Sequence, residues 1–598
     1  MNWRQKFGRL SRVLEAGAVA LWMLCACASA AAQADKAKAS AGAEANAAYS
    51  QGMVALQRRD LVRARAAFEK AVHLAPRSPE AHNSLGWVLM TQGEPNGAIV
   101  EFRSALRLKA DFVQAHMNLA SALVREGDGQ GAVREAEEAV RLAPNDSETY
   151  HVLGRVLSAS GRGGEAVEEL KKAIELEPSR PELHDDCGTA LVLESKPEEA
   201  AAEFSKALQL QPQFAPAHLH LGVVRLNQKD FAAAEKEFRA AAELEPGNSA
   251  AHLYLAETLE AAGAAADALQ EYRRVAELDP NDADAQKKLG ILLQRAGNGA
   301  EAVAAFERRE KLRPADPDAH NDLGLALLQT GDARKAIPEF QSALKLKPGD
   351  AGYEGNLGVA YLQESDFDAA ATHFQAAMKI APQDATFHYD LGLALKMKDQ
   401  LPAAVAEFKK AEELDPKLAD AHYTLGVTLW QEGDLSGATQ ELRAALAAKP
   451  DYAEAYYTLG SVLKQKGDLP QAAEALREAI RLQPDFAGAH TNLGAVLRQL
   501  GDAEGAAAES KKGLELLKEK STEQAATIAT NSGKRLLNAG DLDGAISQFR
   551  NAIQSLPNSA QAHYELALAL QRKGRKDEAA KEFQRAAELD PRLKVPGK

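Results

Sequence analysis

Histidine is the residue type in this sequence that most suggests chemistry. Ten of the fourteen histidines stand at one recurring place: His82, His116, His184, His218, His252, His320, His388, His422, His490 and His563. Successive members are 34 residues apart or a multiple of it, except the last, which is displaced by a further five. Imidazole is a common metal ligand, so the series could be read as a run of metal sites. A bound ion, however, needs its ligands within ~2.3 Å. Histidines one repeat apart on packed helices would be separated by ~10 Å. The rings are therefore expected to fill the seam between adjacent helices, a role open to Tyr150 and Tyr456 at the same place. No metal site and no cofactor is assigned.

The run His184-Asp185-Asp186-Cys187 also gathers reactive residue types. Neighbours in a helix point in different directions, so these four do not converge. Cys187 stands where most repeats carry leucine (Leu153, Leu221, Leu289, Leu323) and reads as a small buried apolar residue. The sequence holds no GxxxxGK[ST] phosphate loop, no HExxH and no paired CxxC. No catalytic residue is assigned, and the chain is not expected to be an enzyme. A formal charge of −14 argues against nucleic acid as a partner, because that binding needs a basic footprint.

The elements behind this periodicity are helix pairs. In residues 317–350, Leu323, Ala326 and Leu327 form one helical stripe, and Ala336, Phe340, Ala343 and Leu344 form another. Gly331-Asp332 separates them, Asp332 can cap the second helix, and Pro348 stops it. Sixteen such repeats begin at Ala45, Pro79, Val113, Ser147, Pro181, Ala215, Ser249, Ala283, Pro317, Ala351, Ala385, Ala419, Ala453, Ala487, Ala526 and Ala560. Counting each repeat from its first residue, position 20 is always alanine and position 8 is glycine thirteen times. Position 24 is usually aromatic, and position 32 is proline except at Ala110 and Lys518. One helix pair cannot bury both of its apolar stripes, whereas a stack of pairs can.

This pattern closely resembles the tetratricopeptide repeat family. The resemblance implies an all-α fold, a right-handed superhelical α-solenoid of tandem helix-turn-helix repeats. It also implies that the first helices line a groove that binds proteins or peptides. The lysine, asparagine and arginine clamp by which some members hold chaperone C-termini is not matched: Lys287 lacks its partners in neighbouring repeats.

Residues 1–34 read as a signal peptide. Arg4, Lys6, Arg9 and Arg12 precede an apolar run, and Ala32-Gln33-Ala34 offers a cleavage site. Leu24-Cys25-Ala26-Cys27 also looks like a bacterial lipobox, which would make Cys27 a lipidation site and give the chain its only attachment to a membrane. The expected organisation continues with a linker at 35–44, repeats 1–14 at 45–520, an insertion at 521–525, repeats 15–16 at 526–593 and a tail at 594–598. Ser521-Thr522-Glu523-Gln524 offers a capping box for a new helix, which predicts a kink or offset there. Pro338 should weaken or bend its helix.

Function is expected on the face made by positions 2, 5, 9, 12 and 13 of the first helices. Position 5 carries Tyr389, Tyr423, Tyr457 and Tyr564, and position 13 carries Gln329, Gln363, Gln431, Gln465 and Gln499. Asn118, Asn356 and Asn492 lie beside them at position 6. Tyrosine supplies apolar area with a polar tip, and glutamine can pair with an extended backbone. The expectation is a neutral-to-acidic groove in a non-catalytic, exported scaffold, periplasmic or extracellular, serving envelope assembly or secretion. Two alternatives are a recognition arm for a separate enzyme such as a glycosyltransferase, and a self-assembling structural protein.

Overall fold

The computed structural model describes residues 43–593. The leader at 1–34, Cys27, residues 35–42 of the linker and the tail at 594–598 lie outside them. The chain divides into two units, Met1–Pro314 and Ala315–Lys598. In each unit the described residues form an α-solenoid: a stack of antiparallel helix pairs, each helix packed chiefly on its sequence neighbours. Among the described residues there is no strand, and no helix is long and apolar enough to cross a membrane.

Fourteen of the sixteen expected repeat starts are the first residue of a helix. The exceptions are instructive. The first helix, Ala43–Gln57, begins two residues inside the expected linker. The second exception lies at 521–525, where the chain forms no new cap. One continuous helix, Ala503–Asn538, runs through the place. Thr522 and Thr527 turn their hydroxyls back to the carbonyls of Glu519 and Glu523, so neither serves as an N-cap. With Lys518 in place of the usual proline, nothing ends the helix.

Within each pair the turn is fixed by one residue in the left-handed region. Position 15 has positive φ in every repeat. Glycine supplies it most often, as at Gly331 (φ 81°), because it has no Cβ to clash. Arg59, Ser195, Lys229, Ser365 and Asp399 hold the same conformation with a side chain, at φ 57–63°. The next residue but one starts the second helix, and Asp332 caps it by accepting from the Lys335 N–H (3.3 Å). Pro338 is accommodated: Ala333–Leu346 remains one helix, and Ser342 donates to the Pro338 carbonyl.

The small residues allow close approach as expected. A Cβ on Gly324 would meet the Phe340 ring at 2.6 Å, and one on Gly358 would meet Phe374 at the same distance. The position-20 alanines, Ala336 and Ala370 among them, are fully buried. Cys187 is likewise buried and unpaired, with burial pushing its thiol pKa up to about 12, so it is not a nucleophile near neutral pH.

Candidate peptide-binding face

The recurring histidines do more than fill a seam. Each points Nδ1 at a glutamate nineteen residues on, in the second helix of its own repeat, at 2.5–2.9 Å: His82 to Glu101, His218 to Glu237 and His563 to Glu582 are examples. In at least eight of them Nε2 donates to a backbone carbonyl six residues back, as His82 does to Pro76 (3.1 Å). The ring thus clasps the two helices of a pair and the turn before them. The Glu101 bond raises the pKa of His82, and the Glu237 bond raises that of His218. For His116 burial is the largest single effect and opposes, but the Glu135 bond, the Ala110 carbonyl and the charges of Glu135 and Glu138 together outweigh it and raise the pKa. For Glu237 burial is again the largest effect, and the bond to His218 with the charges of His218 and Lys236 together overcome it and lower the pKa. In the repeat beginning at Ala351 the pair is inverted, with Glu354 on the first helix and His373 on the second, 2.7 Å apart. The glutamates were legible in the sequence as a companion period, and the expectation of a simple space-filling ring overlooked them.

A second set of bonds links first helices of consecutive repeats. Position 5 of one meets position 6 of the next. Asn118 donates to Asn83 (3.0 Å) and Asn356 to Asn321 (2.8 Å). His151 binds Asp186 (2.6 Å) and His220 binds Asp185 (2.8 Å). Asn492 instead reaches Ser461 (3.0 Å). The three asparagines expected to contact a ligand are therefore committed to holding neighbouring repeats in register. The four residues from His184 to Cys187 do diverge: His184 turns to Glu203, Asp185 and Asp186 to opposite neighbours, and Cys187 into the core.

The tyrosines are half-buried and already packed, tilted or edge-on, against other aromatic rings. Tyr389 lies against Phe408 (centroids 5.9 Å apart), Tyr423 against Tyr452 (5.0 Å), Tyr457 against Phe486 (4.7 Å) and Tyr564 against Phe583 (5.5 Å). They present an edge, not a whole face. Gln329, Gln363, Gln431, Gln465 and Gln499 are all exposed. Gln465 accepts from the Trp430 indole N–H (2.7 Å), which shows that positions 12 and 13 of consecutive first helices meet.

Position 12 is where the sequence reading fell short. It is apolar in most repeats, but repeats 11–14 carry Lys396, Trp430, Lys464 and Arg498. Among the described residues the three cations make no ion pair. Burial draws the pKa of Lys396 down. Together with the tyrosines and Gln431, Gln465 and Gln499, they add cations to a face whose positions 2 and 6 carry Asp390, Asp420 and Glu454. The expectation of a neutral-to-acidic groove had weighed positions 5, 6 and 13 without position 12.

Family models agree with this architecture. One described as "Tetratricopeptide repeat" matches residues 83–147, 186–249, 287–351 and 530–593. Another, described as "TPR repeat", matches 358–399, 397–433, 428–467 and 460–501. Two further tetratricopeptide models match 225–292 and 147–180. No curated protein matches the chain. Among solved structures, it is similar to the APC/C hetero-tetramer Cut9-Hcn1, at 16% identity and TM-score 0.34, over 88% of this chain and 96% of that one. Yeast Tom70 gives 17% identity and TM-score 0.30, over 71% and 96%. MamA from Desulfovibrio magneticus RS-1 gives 25% identity and TM-score 0.27, over 28% and 96%.

Proposed function

Because this chain belongs to the tetratricopeptide repeat family, we propose that its protein-interaction scaffold holds an extended segment of a partner protein along the first helices of repeats 11–14. The observation that carries this reading is the row Lys396, Trp430, Lys464 and Arg498, one side chain per repeat, flanked by exposed glutamines. Packed helices are ~10 Å apart, and a polyproline II chain rises ~3.1 Å per residue with about three residues per turn, so that every third side chain shares a face. Every third residue of the ligand therefore meets a new repeat. The partner that fits is acidic opposite Lys396, apolar or aromatic opposite Trp430, and acidic again opposite Lys464 and Arg498. Glutamines beside the row suit the backbone amides of such a segment. No step of catalysis is needed.

The test is fluorescence anisotropy with a labelled peptide bearing Glu, Trp, Glu and Glu at every third position. Binding should fall by at least about tenfold on charge reversal of Lys396, Lys464 and Arg498 together to glutamate, with the far-ultraviolet spectrum unchanged. Equal affinity for the reversed variant would remove this face from the account. These side chains are a better probe than Tyr389, Tyr423 and Tyr457, whose truncation also disturbs packing.

On this reading the scaffold acts outside the cytoplasm, in bacterial envelope assembly or secretion. The leader at 1–34 supports that placement, and Cys27 supplies the alternative of a lipid anchor. Fractionation of cells expressing the parent and Cys27→Ala separates the two: only a lipidated parent moves from membrane to soluble fraction on losing Cys27.

A further inference from the structure

One histidine clasp differs from all the others in the described residues. His422 faces Glu441 as its repeat prescribes (Nδ1 to Oε2, 2.9 Å). A second carboxylate reaches the same nitrogen: Glu412 Oε2, at 3.1 Å. Three helices supply the three groups, Glu412 from Leu401–Leu414, His422 from Ala419–Glu432 and Glu441 from Leu435–Ala448. The three ligand atoms all lie within 4.8 Å of one another.

Glu412 is out of place by the logic of the repeat. It occupies position 28, which is apolar (Val, Leu, Ile, Met or Ala) in every other repeat except at Glu310. A carboxylate there costs desolvation that an apolar side chain would avoid. The cost is not met by hydrogen bonding. The one Nδ1–H serves Glu441, and Glu412 Oε2 is a buried atom that accepts no hydrogen bond. A single proton faces two acceptors.

We propose that Glu412, His422 and Glu441 form a binding site for a divalent first-row transition-metal ion, with Zn2+ as its best probe. An ion in place of the Nδ1 proton would satisfy all three groups and balance the two carboxylate charges. The spacing fits. Ligands ~2.1 Å from one ion are ~3.0–3.4 Å apart on the edge of an octahedron or tetrahedron, close to the 2.9 and 3.1 Å observed around Nδ1. The outer shell fits as well. His422 Nε2 lies 3.3 Å from the Pro416 carbonyl, so the ring proton belongs there and the Nδ1 lone pair is left for the ion. One imidazole with two carboxylates selects Zn2+ or its neighbours over Mg2+, which favours oxygen and water alone.

The experiment is titration of the untagged full-length chain, first stripped with chelator, with ZnCl2 against a chromophoric competitor. One tight site per chain is expected, and Zn2+ should raise the melting temperature where Mg2+ does not. Glu412→Leu restores the residue type of the other repeats and should fold at least as well as the parent without metal. It should lose Zn2+ affinity by at least about 100-fold, beyond the loss typical of outer-shell changes. Glu412→Gln keeps the volume and should show the same loss. Glu509→Gln, which breaks an ordinary clasp, should leave the site intact. Undiminished binding in both Glu412 variants, or a parent that binds no Zn2+ stoichiometrically, would overturn the assignment.

Discussion

The pair spanning Pro317–Leu346 and the helix Ala503–Asn538 lie in one unit and descend from one pattern, yet they use their surfaces differently. In the first, Phe340 lies on Gly324, Ala336 is fully buried, and His320 clasps Glu339 at 2.8 Å. In the second, Ser510 replaces the aromatic ring over Gly494, and the middle of the helix has no such contacts. Leu514, Leu517 and Ile528 keep 66%, 49% and 68% of their surface. The apolar cluster that runs from Ala404 ends at Ala506, and separate ones begin at Ala526 and Leu537. The contrast teaches that the fold is maintained by stops as much as by stripes. Where position 32 is proline, and at Ala110 without one, the chain turns back and stacks. Where it is Lys518 the two helices fuse, and a 36-residue helix of ~54 Å carries its own ends apart.

The sharpest way to break this comparison is Lys518→Pro, which puts the usual stop back. Because five extra residues follow, the proline would sit inside a helix and should cost ~3 kcal/mol in urea unfolding. Unchanged stability would mean that the helix is already interrupted at Lys518. Next comes Ala370→Leu in a regular pair. It should overpack a fully buried contact and cost ~1–3 kcal/mol, and a parent-like melt would show that the register is wrong.

A clasp can be tested by pH. The raised pKa of His218 means its contribution is complete below about 6.5 and is lost as pH rises through the folded value. The lowered pKa of Glu237 means its contribution is complete above about 4.5 and is lost as pH falls through the folded value. Both act together between those limits. Melting of the parent should therefore decline from pH 6 towards 9 more steeply than that of His218→Gln. Parallel profiles would deny the clasp a role in stability. The smallest effect belongs to Leu514→Gln on the exposed part of the long helix, within ~0.5 kcal/mol by thermal melt. A loss above 1 kcal/mol would reveal packing there.

Most of the fold was legible because its signals are local and repeated sixteen times. Glycine at position 8, alanine at position 20 and proline at position 32 each report a steric requirement that one residue satisfies alone. The left-handed turn was only partly legible. At Lys229 or Asp399 the neighbouring helices impose a conformation that the side chain does not favour. The fused helix was half legible: the missing proline announced a long helix, but a Ser-Thr-Glu-Gln run can cap a helix or continue one, and the string cannot choose. The candidate face was the least legible part. Asn118 looks free when read one repeat at a time, whereas its partner Asn83 sits in the neighbouring repeat, 35 positions away. Glu412 was legible as a break in the apolar position 28, but its approach to His422 was not.

The inverted pair Glu354–His373 bears on how such a chain can be rebuilt. In the ten other clasped repeats the first helix contributes the imidazole and the second the carboxylate. Moving a single helix between this repeat and its neighbours would set His against His, or Glu against Glu, across a part-buried seam. Moving the whole hairpin keeps every clasp matched. The unit of exchange in this molecule, for recombination or for an engineer shuffling modules, is therefore the hairpin and not the helix.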